Sequence, residues 1–89
     1  MPTVQLLIKG KVQGVFYRAT ARQIAKKIGI TGWIKNNREG RVEATVSGTE
    51  DQLQKFISWC KKGPESAVVN EVVVFEKEET LFDEFVVIR

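Results

Sequence analysis

The sequence predicts an α+β sandwich, with both helices on one face of an antiparallel sheet. Three observations predict it. The hydrophobic period switches between two and about 3.6 residues in the order β-α-β-β-α-β. Each helical stretch stops at a glycine, Gly29 and Gly63. The 89 residues give room for one domain, taken as 1–89. A domain of that size buries roughly two thirds of its unfolded surface, enough for a single core.

The elements follow in order. Val4, Leu6 and Ile8 alternate with Gln5 and Lys9 and make a first strand. Gly10 to Gly14 is a glycine-bounded loop. From about Arg18, Ala21, Ile24, Ala25 and Ile28 fall on one helical face, and Gly29 stops the helix. Thr20 with Gln23 fits a capping box, which would start this helix after Arg18. Thr31 to Lys35 reads as a second strand, Asn37 to Gly40 as a hairpin turn, and Val42, Ala44 and Val46 as a third strand. Thr49 with Gln52 caps a second helix, whose apolar face is Leu53, Phe56, Ile57 and Cys60. Lys61 and Lys62 suit its negative end, and Gly63-Pro64 closes it. The run from Val68 to Phe75 is a fourth strand, and Phe85 to Ile88 a short terminal one. The order is that of the split βαβ, ferredoxin-like arrangement, with an extra terminal strand.

Composition bounds the chemistry. Histidine is absent, which excludes Ser-His-Asp and Cys-His mechanisms and histidine-bearing metal sites. The lone cysteine, Cys60, permits no internal disulfide and fits a reducing compartment. Cys60 itself reads as a small buried hydrophobe. No signal peptide is visible, and no apolar run approaches the roughly 20 residues of a membrane span. A cytoplasmic protein without a membrane partner is expected. The net charge of +3 suits a small anion and equally suits weak nucleic-acid binding.

The loop GKVQGVFYR, from Gly10 to Arg18, is the candidate site. It joins a strand to a helix, so its amides and the helix start can converge on an anion. Gly14 permits a close backbone approach. Arg18 offers a planar fork for two phosphate oxygens. Loops of this kind also occur without a ligand, and local chemistry leaves both readings open. The spacing is neither that of a Walker P-loop nor of a dinucleotide fingerprint. Asn36, ending the second strand, can hold a water beside such a cradle, or can serve with Asn37 simply as a turn-former. Lys9 and Lys11 flank the loop and read as solvated strand charges. Of Phe16 and Tyr17, at least one is expected to pack rather than line the mouth.

GKVQGVFYR, then GWIKNNREGRVE from Gly32 and KGPESAVVNEV from Lys62, resembles the acylphosphatases, in order and over essentially the whole chain. The resemblance implies a ferredoxin-like fold. It also implies hydrolysis of acyl phosphates, a small-molecule substrate, to carboxylate and phosphate without metal or cofactor. It makes Arg18 the phosphate-binding arginine, and Gln13, Gly14, Val15, Phe16 and Tyr17 the loop whose backbone amides surround the phosphate. It makes Asn36 the residue that orients the attacking water. Ala21 and Asn37 stand where the family often has threonine. The leaving carboxylate has a conjugate acid of pKa near 4, so no strong general acid is needed.

Two other readings are weighed. A non-enzymatic domain that binds acyl or carbamoyl phosphate would share these motifs. A nucleic-acid-binding module would share the fold class, but the first strand turns Gln5, Leu7 and Lys9 outward and the third Glu43 and Thr45, which is no stacking platform. A monomer with no nucleic-acid partner is expected.

Overall fold

The computed structural model describes residues 1–88. The elements are β1 (Thr3–Lys11), α1 (Tyr17–Ile28), β2 (Thr31–Asn36), β3 (Val42–Ser47), α2 (Glu50–Lys62), β4 (Val68–Lys77) and β5 (Phe85–Ile88). They form a five-stranded sheet in the order β4-β1-β3-β2-β5, with the two helices on one face. Every pair is antiparallel except β2 with β5, which is parallel, so the sheet is mixed rather than wholly antiparallel.

The parallel edge has a physical cause. After β4 the chain crosses the end of the sheet to reach the opposite edge. Its crossing segment is held by two buried hydroxyls. Thr3 Oγ1 accepts from the Thr80 amide at 3.0 Å, and Ser47 Oγ donates to the Thr80 carbonyl at 2.9 Å. Thr3 and Ser47 bond each other at 2.7 Å. Gly32 N–H then donates to the Glu84 carbonyl at 3.0 Å, which delivers Phe85 to its partner position in the ladder.

Alternation in β1 and β3 buries Leu6, Ile8, Val42, Ala44 and Val46 under the helices. From α1 it is Tyr17, Ala21 and Ala25 that are fully buried, with Ile24 and Ile28 at the margin of the core. Small residues at 21 and 25 let this helix lie close on the sheet. From α2 the expected Leu53, Phe56, Ile57 and Cys60 go inward, and Phe56 meets Phe85 edge-on at 5.8 Å. The capping box of Thr49 and Gln52 forms as predicted, and Gln52 Nε2 also donates to the Ile28 carbonyl at 3.1 Å, tying the end of α1 to the start of α2. Trp59 is half-buried, 5.2 Å from the Tyr17 ring. Among the described residues no helix is long and apolar enough to cross a membrane.

Topology decides where a site can lie. β1 and β2 both pair antiparallel with β3, so they run in the same direction, as does β5. Their C-terminal ends therefore open on one rim of the sheet. Lys11, Asn36 and Ile88 end those strands, and α1 begins directly above them.

Candidate active site

The predicted start of α1 is corrected by the structure. The helix begins at Tyr17, ahead of Arg18, and no Thr20–Gln23 capping box forms. Its N-cap is Phe16, in the left-handed conformation at φ 61° and ψ 21°, with no side-chain cap. The Thr20 amide instead donates to the Phe16 carbonyl at 3.0 Å. A helix start leaves its first amides without internal partners, and here no side chain satisfies them. Nor does the first turn contain an acid. Among the described residues, the amides of Gly14, Val15 and Phe16 donate to no protein acceptor. Gly14 sits at φ 73° with open space where a Cβ would project. The result is a run of free N–H groups at the positive end of a helix, which is the local chemistry of an anion site.

The loop holds this shape because alternate side chains anchor it. Val12, Val15 and Tyr17 are buried, while Gly14 and Phe16 face solvent. Tyr17 Oη donates to the Cys60 carbonyl at 2.7 Å. Gln13 Nε2 donates to the carbonyls of Asn37 at 3.0 Å and Arg41 at 2.9 Å. Asn37 in turn closes the β2–β3 hairpin, its Oδ1 accepting from the amides of Glu39 and Arg41, both at 3.0 Å. The Gly10–Arg18 loop is thus clamped to the turn that follows Asn36. Sequence reasoning assigned Gln13 through its backbone only; the clamp is a side-chain role whose partners are carbonyls and leave no mark in the sequence. Gln13→Ala should leave the fold intact and cost about tenfold in kcat/KM through loop disorder, checked by kinetics beside a thermal melt.

Arg18 and Asn36 meet in this place. Both line an open cleft of about 690 Å³, together with Gly14, Phe16 and Tyr17. Both also line the adjoining recess, with Lys35 and Ile88. Arg18 Nη1 donates to the Ile88 carbonyl at 3.2 Å, so β5 props the guanidinium. Asn36 carries a buried side-chain oxygen, Oδ1, without any hydrogen-bond partner. A buried unpaired acceptor costs about 1–3 kcal/mol, and its place in the cleft gives it a use.

The remaining expected residues fall as follows. Val15 contributes a core side chain, so only its backbone amide is open to the cleft side of the loop. Phe16, 81% exposed, stands at the mouth, and Tyr17 packs. Lys9 pairs with Glu71 at 3.4 Å on the helix-free face, away from the cleft. Arg22 and Gln23, given no site role from sequence, line the cleft wall. The spacing of four between Arg18 and Arg22 on one helix was the signal that placed them together. Among the described residues no carboxylate lines either recess, so the local field favours an anion.

Under the loop, burial pushes the Cys60 thiol up to about 12 from 9.0, and Tyr17 is also raised, by burial first and then by Cys60. Both groups are held neutral in the folded state. The stability that the buried neutral thiol contributes is complete below its ordinary value of 9.0 and is lost progressively as pH rises toward about 12. Cys60 should therefore be inert to an aromatic disulfide reagent at about pH 8 in native protein and react fully in denaturant. Rapid labelling of native protein would contradict its burial.

Residues 4–87 match the profile of the acylphosphatase family. An acylphosphatase of Marinobacter nauticus is 49% identical over 75 residues, 84% of this chain and 82% of that protein. The crystal structure of the Bacillus subtilis acylphosphatase superposes with a TM-score of 0.96 at 31% identity, over all of both chains. Full-length HypF in its phosphate- and nucleotide-bound form matches with a TM-score of 0.92 at 31% identity, over 99% of this chain but 12% of that one. With the profile matched across nearly its whole length, and with relatives this near in sequence and shape, the chain belongs to the acylphosphatase family.

Proposed function

We propose that this protein hydrolyses acyl phosphates in the cleft between the Gly14–Arg18 loop and Asn36. The phosphate is held by the Arg18 fork and by the free amides of the loop and first helical turn. Water attacks phosphorus in line, the bond from phosphorus to the acyl oxygen breaks, and the electron pair leaves with the carboxylate. The water protons end on inorganic phosphate and solvent. Such a transfer needs positioning and charge stabilisation on the equatorial oxygens. The carboxylate, a weak base, departs unprotonated.

The observation that carries this reading is the unpartnered Asn36 Oδ1 lining the same cleft as Arg18. An amide oxygen there accepts a hydrogen of the attacking water and turns its lone pair toward phosphorus. Phe16, Arg22 and Gln23 lie where the acyl group leaves, outside the phosphate cradle. The single buried cysteine suits a reducing, cytoplasmic setting.

The experiment is phosphate release from a synthetic acyl phosphate such as benzoyl phosphate. Turnover is expected, and EDTA is expected to leave the rate unchanged, because one arginine and backbone amides supply the charge stabilisation. Loss of activity in EDTA restored by Mg²⁺ would refute the metal-free step. Phosphate binding without turnover would favour a non-enzymatic binding domain. On the helix-free face the central strands β1 and β3 present no aromatic ring; Trp33 and Phe75 lie on β2 and β4, three strand positions apart. At roughly 4.8 Å per strand they cannot stack neighbouring bases.

A further inference from the structure

Arg18 answers to the phosphate, but the cleft holds a second arginine that phosphate binding leaves unused. Arg22 lies four residues further along α1 on the same flank, about 6 Å along the helix axis. It lines the large cleft but not the smaller recess that Arg18 shares with Asn36. Its helical neighbours at three and four positions are Ala19, Arg18, Ala25 and Lys26, and α1 contains no acid. Among the described residues Arg22 makes no ion pair. On α2 the same spacing of four sets Lys55 against Asp51 at 3.1 Å. Two like charges one turn apart, near the positive end of a helix, repel each other unless anions answer them. The phosphate answers only the first. Across from Arg22 the cleft is apolar, lined by Val86 and Val87 of β5, and Ala19 leaves room between the two arginines. Gln23, beside Arg22, adds an amide donor.

We infer that Arg22, with Gln23 beside it, is a specificity-determining residue that binds a second anionic group carried by the acyl chain. The inference rests on the acyl-phosphate reading of the cleft and names the acyl group that this cleft prefers. The helical spacing sets the second anion about 6 Å from phosphorus, the reach of an extended four-carbon dicarboxylic chain. Its carbons lie against Val86 and Val87, and its far carboxylate meets the Arg22 fork with both oxygens. Arg22 is exposed, so water and salt screen the contact and its gain is modest.

The test compares trans-butenedioyl monophosphate with crotonyl phosphate, which carries a methyl group in place of the far carboxylate. The trans double bond keeps that carboxylate from attacking the acyl carbon itself. The readout is the ratio of the two kcat/KM values, each corrected for uncatalysed hydrolysis, because general damage to the site cancels in it. Arg22→Gln should lower the ratio about fivefold and Arg22→Glu further, while Arg22→Lys should keep part of it. Lys26→Gln removes an equal charge one turn further on, outside the cleft, and should hold the ratio near wild type. Added salt should bring the wild-type ratio toward that of Arg22→Gln. If wild type hydrolyses neither compound, the acyl-phosphate reading and this inference fall together. Turnover of both, with a ratio that Arg22→Gln leaves unchanged or that Lys26→Gln lowers as far, overturns this inference alone.

Discussion

Arg18→Ala should lose at least about three orders of magnitude in kcat/KM, with phosphate no longer competing for the site. The guanidinium is the one cation of the cleft that lies in both recesses with Asn36. Its loss leaves only amide dipoles to meet the charge on the transferring phosphoryl group. The fold should survive the change. Arg18 makes one exposed hydrogen bond, 3.2 Å to the Ile88 carbonyl, whose net worth is about 1 kcal/mol. A thermal melt near wild type would separate lost chemistry from lost structure. Arg18→Lys sharpens the result, because an ammonium keeps the charge but not the fork that matches two phosphate oxygens. It should recover only a small part of the rate. Activity undiminished in Arg18→Ala would sink the site assignment altogether.

The parts of this site that sequence reveals are the parts carried by residue type at fixed spacing. Gly14 and Arg18 on a strand-to-helix loop, and Asn36 at a strand end, are visible because each needs its own side chain, or lack of one. The sequence misplaces the helix start because Thr20 and Gln23 supply a locally satisfactory cap. The structure refuses that cap and holds an aromatic residue, Phe16, in a left-handed conformation that costs about 1 kcal/mol or more. Local rules are broken where a site needs open amides, and a capping side chain would have filled them. Gln13 shows a different limit. Its partners are the carbonyls of Asn37 and Arg41, and backbone oxygens look alike in any sequence. The parallel placement of β5 depended on Thr3 and Ser47, two ordinary hydroxyls that only the fold brings to within 2.7 Å.

Asn36→Ala should lower kcat by about a hundredfold while phosphate binds as in wild type, because the side chain acts on the water and not on the anion. The reasoning turns on which groups are free. Arg18 and the loop amides are donors only, suited to phosphate oxygens and unable to accept a hydrogen bond from water. Among the described residues, Asn36 Oδ1 is a buried acceptor without a partner, so it is the group left to accept a hydrogen bond from that water. Removing it leaves the phosphate cradle whole and the water unaligned. Asn36→Asp provides the control. A carboxylate at this position keeps an acceptor oxygen but adds a negative charge beside the bound phosphate, so it should weaken phosphate binding as well as turnover. If Asn36→Ala reduced phosphate affinity as far as kcat, the asparagine would be holding the anion, and the nucleophile's alignment would have to come from the loop itself.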